Sequence, residues 1–83
     1  MEMKVKHGNM VIEKGDRIIY YNQTFGNYYE GIVIGDGGDF YRNFGVEVIM
    51  LDDEGKPKIN KLNNKIIIDI AFFQNIYRIV GRD

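Results

Sequence analysis

The chain has no cysteine and no serine, and in 83 residues it carries one histidine, one threonine and one proline. Without cysteine there is no disulfide, no thiolate zinc site and no cysteine nucleophile. A secreted domain this small ordinarily needs disulfides, so a reducing, cytoplasmic setting is expected. No serine hydroxyl is available for nucleophilic chemistry. His7, the single imidazole, sits in a segment that reads as an arm, which disfavours a two-histidine metal site or a histidine-based triad. The expectation is a protein that is not an enzyme and holds no metal or cofactor. One proline is too few for a linker or a low-complexity segment. Long apolar runs are missing as well. The longest, Ile66-Ile67-Ile68 and residues 70–73, are separated by Asp69 and fall far short of the ~18 residues of a membrane span. Residues 1–10 carry Lys4, Lys6, His7 and Gly8 and lack the apolar stretch of a signal peptide. No membrane partner is expected.

An excess of one charge is also absent. The formal net charge is −1, too balanced for attraction to nucleic acid by bulk charge and too weak for an acidic mimic of DNA. The distribution is less even. Seven acids (Glu30, Asp36, Asp39, Glu47, Asp52, Asp53, Glu54) face Arg42 alone between positions 30 and 54, whereas Lys56, Lys58, Lys61 and Lys65 follow with no acid among them.

What is present is β-type patterning around ten glycines and a hydrophobic content of 45%, enough for one core and too little chain for two. One domain over residues 1–83 is expected, with residues 1–9 an edge strand or a flexible arm. The organising stretch is residues 14–35. A Gly15-Asp16 turn launches a strand at 17–21, Asn22 to Asn27 supplies loop chemistry, and 28–34 resumes a strand with Gly31 inside it. Glycine within a strand marks a bulge, a bend or the close approach of another group. Alternation places Ile18 and Tyr20 inward on the first strand and Tyr29 and Val33 inward on the second.

Further along, residues 35–43 read as a glycine-rich loop and 44–51 as the clearest strand, with Val46, Val48 and Met50 on one face. Residues 52–55 read as a hairpin turn with Gly55 suited to a positive φ, 56–62 as the return strand with Pro57 at an edge, and Asn63-Asn64 as a second tight turn. A strand at 65–68 follows. Asp69 then caps a single helical turn over 70–75, and 77–80 forms the last strand. One helix over 66–76 is the competing reading. The expected core comprises Val33, Val46, Val48, Ile68 and Ile79.

Lys14-Gly15-Asp16 before a first strand, then Tyr29-Glu30-Gly31-Ile32-Val33-Ile34-Gly35 in the second, resembles the opening of the small SH3-like barrels of the KOW and Tudor types. The resemblance runs from about Lys14 to Val80 and departs from the ribosomal KOW pattern in lacking a basic balance. It implies a mostly all-β fold, a small barrel of five or six antiparallel strands with a one-turn helix before the last. Barrels of this kind host many unrelated binding roles.

Eight of the eleven aromatics fall between Tyr20 and Phe44. Tyr21, Phe25, Tyr28, Phe40 and Tyr41, with Arg42 beside them, are the candidate binding face, because rings on loops at one end of a barrel cage a cation, stack a base or anchor a protein. The competing reading is that these rings pack the core and cover its open ends. Lys56, Lys58, Lys61 and Lys65 are the candidate nucleic-acid contacts, against the alternative that they keep an edge strand from pairing with other chains. The run Gly35-Asp36-Gly37-Gly38-Asp39 lacks the helix and lysine of a phosphate loop and the ligand spacing of an EF-hand.

The leading expectation is therefore a non-enzymatic interaction module that binds a protein partner through its aromatic loops. The richness in Ile, Lys, Asn and Tyr points to an AT-rich genome and to a bacterial or phage accessory or inhibitory protein. The alternatives are a KOW-like nucleic-acid binder, using the lysine hairpin and aromatic stacking and binding weakly, and a binder of a small ligand such as a nucleotide. The oligomeric state is left open.

Overall fold

The computed structural model describes residues 4–82 as nine strands, one helical turn and one 3-10 turn. Residues 1–3 of the expected edge strand or arm lie outside the described residues. The first hairpin pairs β1 (Lys4–His7) with β2 (Met10–Glu13). The main sheet takes β3 (Asp16–Asn22), β4 (Asn27–Asp36), β5 (Gly45–Met50), β8 (Ile68–Phe72) and β9 (Ile76–Arg82) in the order β8-β5-β4-β3-β9, every pair antiparallel. The last strand thus lies beside the first of the sheet. Between β5 and β8, β6 (Ile59–Asn60) and β7 (Lys65–Ile66) make a two-stranded hairpin of their own.

Alternation on β3 to β5 sorts the two faces of the sheet. Ile18 and Tyr20 on β3, Val33 on β4, and Val46, Val48 and Met50 on β5 are buried, together with Ile12, Ala71 and Ile76. Each strand turns every second side chain inward, as a half-buried antiparallel sheet requires. Gly31 on β4 is fixed by this core. A Cβ there would stand 3.1 Å from the Tyr20 ring and 3.1 Å from the Val48 Cβ, so the glycine marks a close approach of side chains across three strands.

The sheet is strongly coiled and does not close by pairing, since β8 and β9 are end strands and not neighbours. Three register shifts supply curvature, two between β3 and β9 and one between Val33 and Gly35 of β4. The coiling brings β8 back to β3. The Tyr20 hydroxyl donates to Asp69 Oδ2 at 2.9 Å, and the Asn22 side-chain amide donates to the same oxygen. Asn22 in turn accepts the Phe25 N–H at 2.7 Å and pins the β3–β4 turn.

Several expectations are corrected. Ile68 is 54% exposed and lies on the outer face, because Asp69 and Ala71 take the inward positions of β8. Asp69 caps no helix; it is a strand residue, and the helical turn is confined to Phe73–Asn75. Residues 70–72 continue the strand because they pair with Glu47, Val46 and Gly45. The glycine-rich loop holds a turn of helix, α1 (Gly38–Tyr41), after Gly38 enters it at φ 70°. The return strand after Gly55 is reduced to a bridge between Leu51 and Pro57 and the two residues of β6. Gly55 and Asn64 do take the positive φ that their turns demand, 79° and 57°. Ile79 is partly buried against the core.

Candidate functional site

On β3 and β4 the inward pair Tyr20 and Tyr29 alternates with the outward pair Tyr21 and Tyr28. The outward rings meet edge to face, with centroids 5.1 Å apart. Tyr28 then meets Tyr77 of β9 at 6.4 Å. Tyr77 reaches this face because β9 bulges there: Ile19 pairs with Arg78 and Tyr20 with Ile76, leaving Tyr77 as the extra residue. Ile19, Tyr28 and Tyr77 line an apolar hollow of about 360 Å³. A neighbouring hollow of about 330 Å³ adds Tyr21, Gln74, Asn75 and Ile76. Tyr28 and Tyr77 are 57% and 69% exposed, so this aromatic surface is open to solvent.

The other candidates lie elsewhere. Phe25, in the β3–β4 turn, stacks edge to face on Tyr29 at 5.9 Å. Phe40 and Tyr41 belong to α1, and Arg42 follows it, its N–H donating to the Gly38 carbonyl. Tyr41 packs against Phe72 at 5.8 Å, while Phe40 is 85% exposed. The two loops stand at the two ends of the ten-residue strand β4, not at one end as the sequence reading supposed. A bridge nonetheless exists. Gln74, in the 3-10 turn, lines both the tyrosine hollow and a second hollow of about 320 Å³ formed with His7, Asn43, Phe44, Phe72 and Phe73, where His7 stacks on Phe73 at 4.9 Å.

Tyr77 and Ile19 were missed because neither lies in a loop. The signal in the sequence was present: Ile19 alternates with the inward residues of its strand, and Tyr77 is a large ring near the start of the final strand. What was not readable is the bulge that turns Tyr77 toward Tyr28.

A further hollow, about 450 Å³, is lined by Tyr28 and Tyr29 together with Arg17, Glu30 and the Asp52–Gly55 turn. Arg17 and Glu30 form a half-buried ion pair at 3.1 Å. Asp52 is held below the usual carboxylate range, first by the Lys56 backbone N–H that donates to it. Asp52 is thus engaged in its own turn. Among the described residues, no group of three or more acidic or histidine side chains is placed to hold a metal ion, and no helix is long and apolar enough to cross a membrane.

The four candidate lysines do fall on one structure. Lys56 and Lys58 enter the β6–β7 hairpin, and Lys61 and Lys65 flank its turn. Lys56 pairs with Glu54 at 3.7 Å, and Lys58 lies over the Tyr29 ring at 5.9 Å. No aromatic residue occurs between Gly55 and Ala71, so the hairpin has no ring of its own on which a base would stack. No protein-family model matches the chain, and neither a curated protein nor a solved structure is significantly similar to it.

Proposed function

We propose that this chain is a non-enzymatic interaction module of the SH3-like barrel type that binds a protein partner through the tyrosine face of β3, β4 and β9. The fold part of this reading draws support from the strand order, with the last strand beside the first, and from the 3-10 turn that precedes it. The functional part rests on one observation: the half-buried Tyr21 and the exposed Tyr28 and Tyr77 form a contiguous ring ladder, the last two over an apolar hollow, on a face turned away from the core. Tyrosine and arginine are the residues on which protein interfaces concentrate their binding energy, and Arg78 stands in register with Ile19 on this face.

Nucleic acid is the second reading, favoured by the four lysines of one hairpin. At most about four phosphates are neutralised there, giving a single-strand salt slope no steeper than roughly −0.7 × 4. Such binding would be lost near physiological ionic strength.

The test is capture from the source cells with the wild-type chain beside a Tyr28→Ala/Tyr77→Ala variant. A protein retained by the first and lost by the second, with the melting temperature of the variant lowered by no more than a few degrees, supports the reading. Equal capture by both chains sinks it.

A further inference from the structure

The β6–β7 hairpin has a composition opposite to that of the tyrosine face. Its turn is built by asparagines: Asn60 Oδ1 accepts the Leu62 N–H at 2.8 Å, Asn63 Oδ1 accepts the Lys65 N–H at 3.0 Å, and Asn64 closes onto the Asn60 carbonyl at 2.8 Å. Turn tips favour polar residues. Here a leucine occupies the tip and is 95% exposed. Behind it, the cross-strand pair Ile59 and Ile66 is 46% and 43% exposed, and Ile68, two residues on, continues the same outward side at 54%. Ile67, between them, points the other way and packs on the core. Lys61 and Lys65 flank the tip without an ion pair among the described residues, and positions 55–68 contain no acid.

We propose that this hairpin is a contact for an anionic membrane surface, with Leu62, Ile59 and Ile66 entering the headgroup layer and Lys61 and Lys65 meeting lipid phosphates. An aliphatic tip ringed by lysines matches a surface that is negative outside and apolar beneath. A protein partner fits less well, since the hairpin lacks Trp, Tyr and Arg and is rich in lysine, which protein interfaces avoid. Nucleic acid fits less well because there is no ring to stack a base, and an exposed leucine gains nothing against a phosphate backbone. The expectation of no membrane partner was drawn from the length of apolar runs, and that length does not bear on a peripheral contact. This inference is independent of the tyrosine face.

The experiment is co-sedimentation with vesicles of phosphatidylcholine alone and of phosphatidylcholine containing phosphatidylserine, with oligothymidylate and polyglutamate as soluble polyanions. The full chain should pellet with the phosphatidylserine vesicles and stay in the supernatant with the neutral ones. Leu62→Asp should lower the partition at least about tenfold, as expected for a leucine withdrawn from an apolar phase. Lys61→Gln with Lys65→Gln should lower it by roughly 25-fold, about fivefold per lysine. Each variant is checked by circular dichroism and melting, which substitutions at these exposed positions should leave unchanged. The proposal is overturned if the wild-type chain does not partition, or if Leu62→Asp partitions as well as wild type. It is also overturned if oligothymidylate or polyglutamate binds as tightly as the vesicles with no dependence on Leu62.

Discussion

Two pairs of tyrosines lie side by side across β3 and β4 and have opposite fates. Tyr20 and Tyr29 face inward; Tyr21 and Tyr28 face outward. Tyr20 is wholly buried with its hydroxyl on Asp69, whereas Tyr28 leaves more than half its surface to water. The residue type is the same, and the strands are the same. Only the two-residue period of the strand separates a ring that holds the sheet in its coil from a ring free to bind. A slip of one residue in the β3–β4 register would exchange the roles. The inner pair is fixed by its surroundings: Gly31 leaves room for the Tyr20 ring, and Asp69 fixes its hydroxyl.

The largest expected effect is on the inner side. Tyr20→Ala removes a fully buried ring and leaves Asp69 with Asn22 as its side-chain donor. The cost should be about 3–5 kcal/mol, a drop in melting temperature of roughly 12 °C or more. Small domains hold only about 5–15 kcal/mol in total, so the variant should be close to unfolding. A loss under ~1 kcal/mol would mean that the inner pair is no more structural than the outer one, and the comparison would fail.

Alkali sharpens the same contrast. Burial, and after it the charge of Asp69, push the Tyr20 hydroxyl far above its ordinary range. Folding therefore favours the protonated phenol. The stabilisation is fully present below the unfolded value near ~10 and is lost as pH rises above it, because the unfolded chain ionises while the folded one does not. Urea unfolding between about pH 9 and 11 should show stability falling by up to ~1.4 kcal/mol per pH unit from this group. Tyr20→Phe should remove that component of the slope. An identical slope in both proteins would place the hydroxyl in water.

Gly31→Ala comes next. The added Cβ would meet both the Tyr20 ring and Val48 at 3.1 Å, and both neighbours are buried and packed. An overpacking loss of about 1–3 kcal/mol is expected from thermal melts. A neutral result would show slack between β4 and the inner face.

Much of this arrangement was legible beforehand, and the reason is physical. Ile18, Tyr20, Val33, Val46 and Val48 lie on strands whose opposite face carries a charged residue, Arg17 on β3, Glu30 on β4 and Glu47 on β5, and that charge sets the phase of the period-2 reading that places them inward. The segment from Lys65 to Asn75 is different, because its apolar residues run together on both sides of Asp69. With Ile66, Ile67 and Ile68 in a row and residues 70–73 apolar after Asp69, polarity carries little phase information, and Asp69 reads as a helix cap although it is an inward strand residue. The mostly β composition could be read from the sequence; the coiling that carries Asp69 to Tyr20 could not, since it depends on register shifts in β4 and β9. The tyrosine site was half legible for the same reason. Tyr21 and Tyr28 follow from alternation, whereas Tyr77 depends on a bulge.

The smallest effect on stability belongs to Phe40, and it decides how far the outer face extends. Phe40 is 85% exposed, and its one ring contact among the described residues is Tyr41, at 6.5 Å and tilted. Replacing it with alanine removes almost no buried area, so the melting temperature should move by no more than ~0.5 kcal/mol allows. Tyr41→Ala should cost somewhat more, about 0.5–1.5 kcal/mol, because that ring packs edge to face on Phe72. Gln74 lines hollows on both sides of the 3-10 turn, which makes the tyrosine face and the aromatic hollow beside Phe72 neighbours on the surface. A partner large enough to cover the tyrosines should reach across that turn to α1. Phe40→Ala should then weaken capture measurably, but less than loss of Tyr28 and Tyr77 does, while leaving the melting curve in place. Capture that is indifferent to Phe40 would confine the interface to β3, β4 and β9, and α1 would then be a solvated turn with no part in it.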